Sequence, residues 1–259
     1  MADSFDQQTR DDVFDYLLRL GDDRLILGHR LSEWCGHGPI LEEDIAISNI
    51  ALDCVGQAIG FLRLAGEVEG KGRDEDKLAY FREAIDFRNL LLLEQPNGDY
   101  AYTIMRQFLF DAFSYHQYEA LQESRFEALA AIAAKSLKEV RYHLRHSSQW
   151  VLRMGDGTEE SHRRIQEALD DMWMFVFEMF ESDALEHRLA AQGIAVDASA
   201  LQPKWEEMIA NVLSESTLRR PMEPGYQSSG GRRGRHSEHL GYILSEMQIL
   251  PRSYPGAEW

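Results

Sequence analysis

Carboxylates and imidazoles set inside long apolar stretches are the residues of this sequence equipped to do chemistry. Asp53 and Asp111 stand in such stretches, and Glu139 and His143 stand in a helix that turns charged from Lys138 to His143. Facing helices can use residues of these types to hold a carboxylate-bridged pair of iron ions, with one Glu from each of two helices and a Glu-x-x-His pair from each of two others. Residues three apart share a helix face, so both members of a pair reach the metals. Of the nine histidines, only His162 has a Glu three positions before it. That pair, Glu159/His162, opens a helix beside the turn Gly155-Asp156-Gly157 and lies away from any bundle centre. Asp53 occupies a plausible ligand position, but Gly56 follows three residues on and has no side chain. His143 is well placed, but Val140 stands where its carboxylate belongs, and Glu139 is rotated by roughly 100° around the helix. As a metal site the set is short of ligands. As a buried polar core it needs only internal partners, for which Asn49, Gln57, Lys138 and Arg141 are candidates. The polar-core reading prevails, so no catalytic residue and no metal ligand is expected in this chain.

Other chemistry is sparser. No nucleophile elbow, phosphate-binding loop or dinucleotide fingerprint occurs. His236 and His239 lie one helical turn apart and offer a cation only two ligands. Arg232, Arg233 and Arg235 sit in the Gly-rich loop SSGGRRGR (residues 228–235), which reads as a phosphate contact, a solvated tail or a partner contact.

The elements that must position these residues are helices. Apolar residues at helical spacing predict a helix over 7–34, with Gly21 a candidate kink and Gly36-His37-Gly38-Pro39 its end. The next helix, 41–65, opens with Glu42, Glu43 and Asp44, which complement the helix dipole. It is apolar on nearly every side apart from the stripe Asn49, Asp53 and Gln57, and such a helix lies inside a protein or against a partner. After a polar interlude over 66–97, the turn Pro96-Asn97-Gly98-Asp99 starts an aromatic-rich helix over 100–121. Further helices are expected over 126–152, 159–181, about 198–217 and 236–250, with Pro221 and Pro224 punctuating the loop between the last two. No alternating strand pattern and no solenoid repeat appears. The expected fold is all-α, with a helical bundle over 1–185 and a C-terminal helical and loop extension over 186–259 that packs on the bundle or on a partner.

Composition narrows the function classes. With 259 residues, 44% hydrophobic and 10% aromatic, the chain is globular in character. A formal charge of −17 repels nucleic acid and anionic lipid. No basic and apolar leader opens the sequence, and the run Met172 to Phe177 is far short of the ~20 residues that cross a membrane. Two cysteines, Cys35 and Cys54, are expected as reduced and mostly buried thiols of a cytoplasmic protein.

Four stretches carry a family resemblance: LGDDRLILGHRLSEWCGHGPILEEDIAISNIALDCVGQA (20–58), LLLLEQPNGDYAYTIMRQFLFDA (90–112), KEVRYHLRHS (138–147) and GGRRGRHSEHLGYILSEMQILPRSYPGAEW (230–259). In them the chain resembles the PaaC subunits of bacterial phenylacetyl-CoA 1,2-epoxidase complexes, nearly from end to end. The resemblance implies a ferritin-like fold and a heteromer with a homologous PaaA-type catalytic subunit that holds the di-iron centre. It also implies electrons from a separate reductase, phenylacetyl-CoA bound mainly by the partner, and a structural role for this chain in aerobic phenylacetate catabolism. A self-sufficient ferritin-like di-iron oxygenase or oxidase is the alternative, and it requires iron in this chain.

Overall fold

The computed structural model describes residues 5–222 and 225–257; Pro224 and the last two residues of the motif at 230–259 lie outside the described residues. Among the described residues every regular element is helical. The α-helices are α1 (Gln7–Ser32), α2 (Leu41–Glu69), α3 (Glu75–Tyr80), α4 (Leu91–Glu94), α5 (Tyr100–Leu121), α6 (Glu127–Gly155), α7 (Glu159–Met172), α8 (Ala184–Ala191), α9 (Gln202–Glu215) and α10 (Glu238–Ser253). The chain divides into two compact units, one of Met1–Pro96 with Ser229–Trp259 and the other of Asn97–Ser228. In each unit two long helices run antiparallel across a short connection, α1 with α2 and α5 with α6. The fold is all-α, of the ferritin-like kind expected from the sequence.

In the first unit, α1 starts at Asp6, whose carboxylate accepts from the Thr9 N–H at 2.7 Å. The turn into α2 is closed by Asp44, which accepts from the Gly36 and Gly38 N–H groups at 3.1 and 2.9 Å. These bonds hold the Asp44 carboxyl below the usual range. The helix α1 is continuous through Gly21. A Cβ at Gly21 would lie 2.7 Å from a Leu62 methyl, so the glycine lets α2 approach α1 closely. Along that seam Leu17 and Leu27 of α1 and Ile47, Ile50 and Phe61 of α2 are fully buried. Each such side chain stabilises the fold by roughly 1.5–3 kcal/mol. The interlude over 66–97 is more ordered than its polarity suggested. The helix α2 runs on to Glu69 and ends at Gly70 in the left-handed region (φ 70°). After α3, Leu90 and the α4 residues Leu92 and Leu93 are buried.

In the second unit, Asp99 caps α5 by accepting from the Tyr102 N–H at 3.1 Å, as the Pro96–Asp99 turn predicts. The helix expected over 159–181 changes type. It is α-helical to Met172 and then a 3₁₀ helix over Trp173–Phe180. Trp173, Val176 and Met179 are all buried. They lie three apart, and three residues per turn is the period of a 3₁₀ helix. Trp205 of α9 completes this core, meeting Trp173 at a tilt and Phe180 edge-on and donating from its indole to the Leu109 carbonyl at 2.9 Å.

By length and composition α2 is apolar enough to cross a membrane, which Met172 to Phe177 is not; half of its most apolar window is buried inside the protein.

Candidate functional site

Asp111 lies in the middle of α5 with no exposure to solvent. One turn earlier on the helix, Gln107 donates from Nε2 to Oδ1 at 2.6 Å. From α6, Ser147 donates from Oγ to Oδ2 at 2.8 Å. Ser147, His143 and Val140 recur at helical spacing on one face of α6, and all three are fully buried. Glu139 is half-buried at the edge of that face. The structure therefore brings Asp111 together with Ser147 and Gln107, two partners that the sequence pattern did not point to. The candidates named from sequence lie elsewhere: Lys138, Arg141 and Asn49 are exposed, and Gln57 belongs to the first unit. A Ser on the inward face of a helix was the available signal. It is a weak one, because Ser is common at such positions for its size alone.

A di-iron centre needs carboxylate oxygens open to metal and His–carboxylate pairs on facing helices. Here both Asp111 oxygens accept hydrogen bonds. Val140 presents only methyl groups in the buried ligand position, and Gly56 is exposed with open space around it. Asp53 is half-buried on α2. These residues do not fit such a centre. Among the described residues, no three His, Cys, Asp or Glu side chains gather as a metal-binding group. Glu159 and His162 serve another purpose: His162 donates from Nδ1 to the Gly155 carbonyl at 2.7 Å, and Glu159 is exposed. Cys54 is buried, but Cys35 is exposed, contrary to expectation.

The densest polar constellation lies in the first unit. Asp22 and Asp23 of α1 are buried. Arg82 donates from Nη1 to Asp22 at 2.9 Å, and the Arg88 N–H donates to the same carboxylate at 2.8 Å. Arg232 grips Asp23 with two parallel bonds at 2.9 and 2.8 Å and donates to the Arg88 carbonyl at 2.7 Å. Burial pushes the Asp23 carboxyl up, while the Arg232 guanidinium and the Leu90 N–H oppose that shift. Glu94 accepts from Asn89 Nδ2 at 3.0 Å and from the Ser237 N–H at 2.6 Å, and His236 Nδ1 lies 2.9 Å from it. His236 also donates from Nε2 to the Phe87 carbonyl at 3.1 Å. Both ring nitrogens are thus taken up inside the protein, so His236 and His239 form no cation pair. Arg232 is neither a solvated tail nor a phosphate contact. A three-residue charged run inside an apolar helix, Asp22-Asp23-Arg24, signalled a need for buried partners. The segments LGDDRL and GGRRGRHSEHLG meet at this clasp together with Glu94.

Two surface features complete the first unit. The outer face of α2 exposes Ile45, Leu52 and Ile59 (53%, 68% and 40%), spaced seven apart, with Leu41 at 71% at its start. The inner face of α2 is core, as expected for so apolar a helix, and the outer face meets solvent. A cleft of about 630 Å³ is lined by Arg73, Lys77, Tyr80, Phe81 and Tyr254 among others. It contains no Cys, Ser or His, and Arg73 is held by Glu69 at 2.7 Å.

The sequence profile of phenylacetic acid catabolic proteins, which joins PaaA and PaaC, matches residues 1–259. The C subunit of 1,2-phenylacetyl-CoA epoxidase from Escherichia coli (strain K12) is 49% identical over 244 residues, covering 94% of this chain and 98% of that protein. With a helical fold and both matches spanning nearly the whole chain, this protein belongs to the PaaA/PaaC family of phenylacetic acid catabolic proteins.

Proposed function

We propose that this chain is the non-catalytic, structural subunit of a phenylacetyl-CoA 1,2-epoxidase, pairing with and stabilising the di-iron catalytic subunit in the cytoplasm during aerobic phenylacetate breakdown. The observation that carries the pairing is the outer face of α2, where Ile45, Leu52 and Ile59 stand in solvent on one line. Exposed apolar stripes on long helices mark surfaces that a partner covers. The relative's name, the C subunit of an epoxidase, supports another subunit as that partner. The filled hydrogen bonds of Asp111, and Gly56 and Val140 in place of ligands, support a chain without its own metal. Iron, reductase contact and the acyl-CoA then fall to other subunits.

Co-expression with the catalytic subunit, followed by mass measurement and iron counting on each separated chain, tests this reading. The expected result is a stable heteromer with iron confined to the partner and an interface above ~2,000 Å². A monodisperse monomer that never associates, or stoichiometric iron in this chain, would overturn it.

A further inference from the structure

The helix α6 carries five basic residues, Lys135, Lys138, Arg141, Arg145 and Arg153, and only two acidic ones, Glu127 and Glu139, in a chain of net charge −17. All five cations are exposed, on the face opposite the buried Val140–His143–Ser147 row. Among the described residues none of them makes an ion pair. The neighbouring helix is different: Arg163 and Arg164 of α7 hold Glu160, Glu167 and Asp99 at 2.7–3.0 Å. On α6 the arginines lie against rings instead, Arg141 by Tyr115, Arg145 by Tyr142 and Arg153 by Trp150, at 5.4–6.0 Å from the ring centres. Like charges three and four residues apart weaken a helix. Apart from those ring contacts, a row of like charges without carboxylate partners does not favour the isolated fold.

From Lys135 to Arg153 the stripe is about 27 Å long at 1.5 Å per residue. It runs along a convex helix face, and a small anion needs a concave site. Its shape and charge fit an extended acidic protein surface, with aromatic and Arg side chains of the kinds enriched at interfaces. The net charge of −17 disfavours a nucleic acid. We infer that the outer face of α6 is a docking surface for an acidic face of another epoxidase subunit, electrostatic in character and separate from the apolar stripe of α2. This inference rests on the proposed membership of an epoxidase complex.

The test titrates the full-length chain with each purified subunit of the complex in turn, at low and high salt. Wild type is compared with the exposed charge reversals Lys138→Glu, Arg141→Glu and Arg145→Glu combined, and with the milder set Lys138→Gln, Arg141→Gln and Arg145→Gln. Unchanged helicity by circular dichroism certifies each variant. One subunit is expected to lose affinity by about tenfold or more with the reversals, less with the neutral set, and to bind wild type more weakly as salt rises. Affinities and salt dependence unchanged for every subunit would overturn the inference while leaving the complex intact. Reversals that weaken only the binding of a 20-base-pair DNA duplex would overturn it too. A wild-type chain that binds no subunit would instead overturn the proposed function itself.

Discussion

Replacing Arg232 by Met tests the clasp most directly, because it removes one partner of a buried pair and little volume. The Arg232 side chain is 12% exposed and that of Asp23 3% exposed, so the bond is shielded from solvent. Breaking such a pair from one side costs about 3–5 kcal/mol, mostly from the charge left behind. Loss of the bond to the Arg88 carbonyl adds to this. Against a total stability of about 5–15 kcal/mol the loss is large. With a urea slope of about 2–3 kcal/mol/M, the unfolding midpoint should fall by more than about 1 M. The double variant Asp23→Leu/Arg232→Met should recover part of the loss, since no lone charge remains buried. Recovery should be incomplete, because the Leu90 N–H, which donates to Asp23 at 2.9 Å, loses its acceptor. Equilibrium urea unfolding followed by circular dichroism, run on wild type and these variants together with Asp23→Leu alone, gives the coupling energy. If Arg232→Met shifts stability by less than about 0.5 kcal/mol, as surface substitutions do, the argument for the clasp fails.

Three further outcomes are expected. Asp111→Ala strands the Gln107 amide and leaves the Ser147 hydroxyl only the Leu144 carbonyl at 3.3 Å, and should destabilise by about 1–3 kcal/mol, while the iron content of the co-purified complex stays unchanged; a loss of iron would point to a metal role. His116 is buried with Glu119 3.8 Å from its Nδ1, and burial outweighs that carboxylate to hold its pKa below the ordinary histidine value. A depressed histidine contributes stability above its unfolded pKa and loses it as pH falls, so wild type should lose more urea resistance than His116→Leu between about pH 7.5 and pH 5; parallel pH profiles would refute this. Leu52→Asp on the outer face of α2 should leave thermal unfolding nearly unchanged and abolish co-purification with the catalytic subunit, and a heteromer that survives it would clear α2 of that role.

The long helices were legible because each carries its own signal. The Pro96–Asp99 turn placed the start of α5, and the acidic first turn placed α2. What the sequence obscured depends on contacts made far along the chain. Gly21 looks like a weak point in α1 until Leu62 is seen against it. The switch to a 3₁₀ helix after Met172 follows from a core that takes Trp173, Val176 and Met179 together, which no local pattern specifies. At the candidate site, the deficits at Gly56 and Val140 could be read directly, since an absent side chain needs no structure to be noticed. The partners of Asp111 could not, because Ser147 is 36 residues away. The Gly-rich surroundings of Arg232 suggested a solvated segment, and its acceptor lies 209 residues earlier.

That separation sets an order of events during synthesis. The second unit is one continuous segment, Asn97–Ser228, and all of it leaves the ribosome before Arg232 and His236 do. Until then Asp23 and Glu94 lack the residues that answer them, and the first unit is missing α10 from its wall. The earliest residues of the chain therefore belong to the last unit to be completed. A nascent chain stalled short of residue 229 would leave bare the faces of α1, α3 and α4 on which α10 packs, so translation through the last segment is the step at which a chaperone has most to guard.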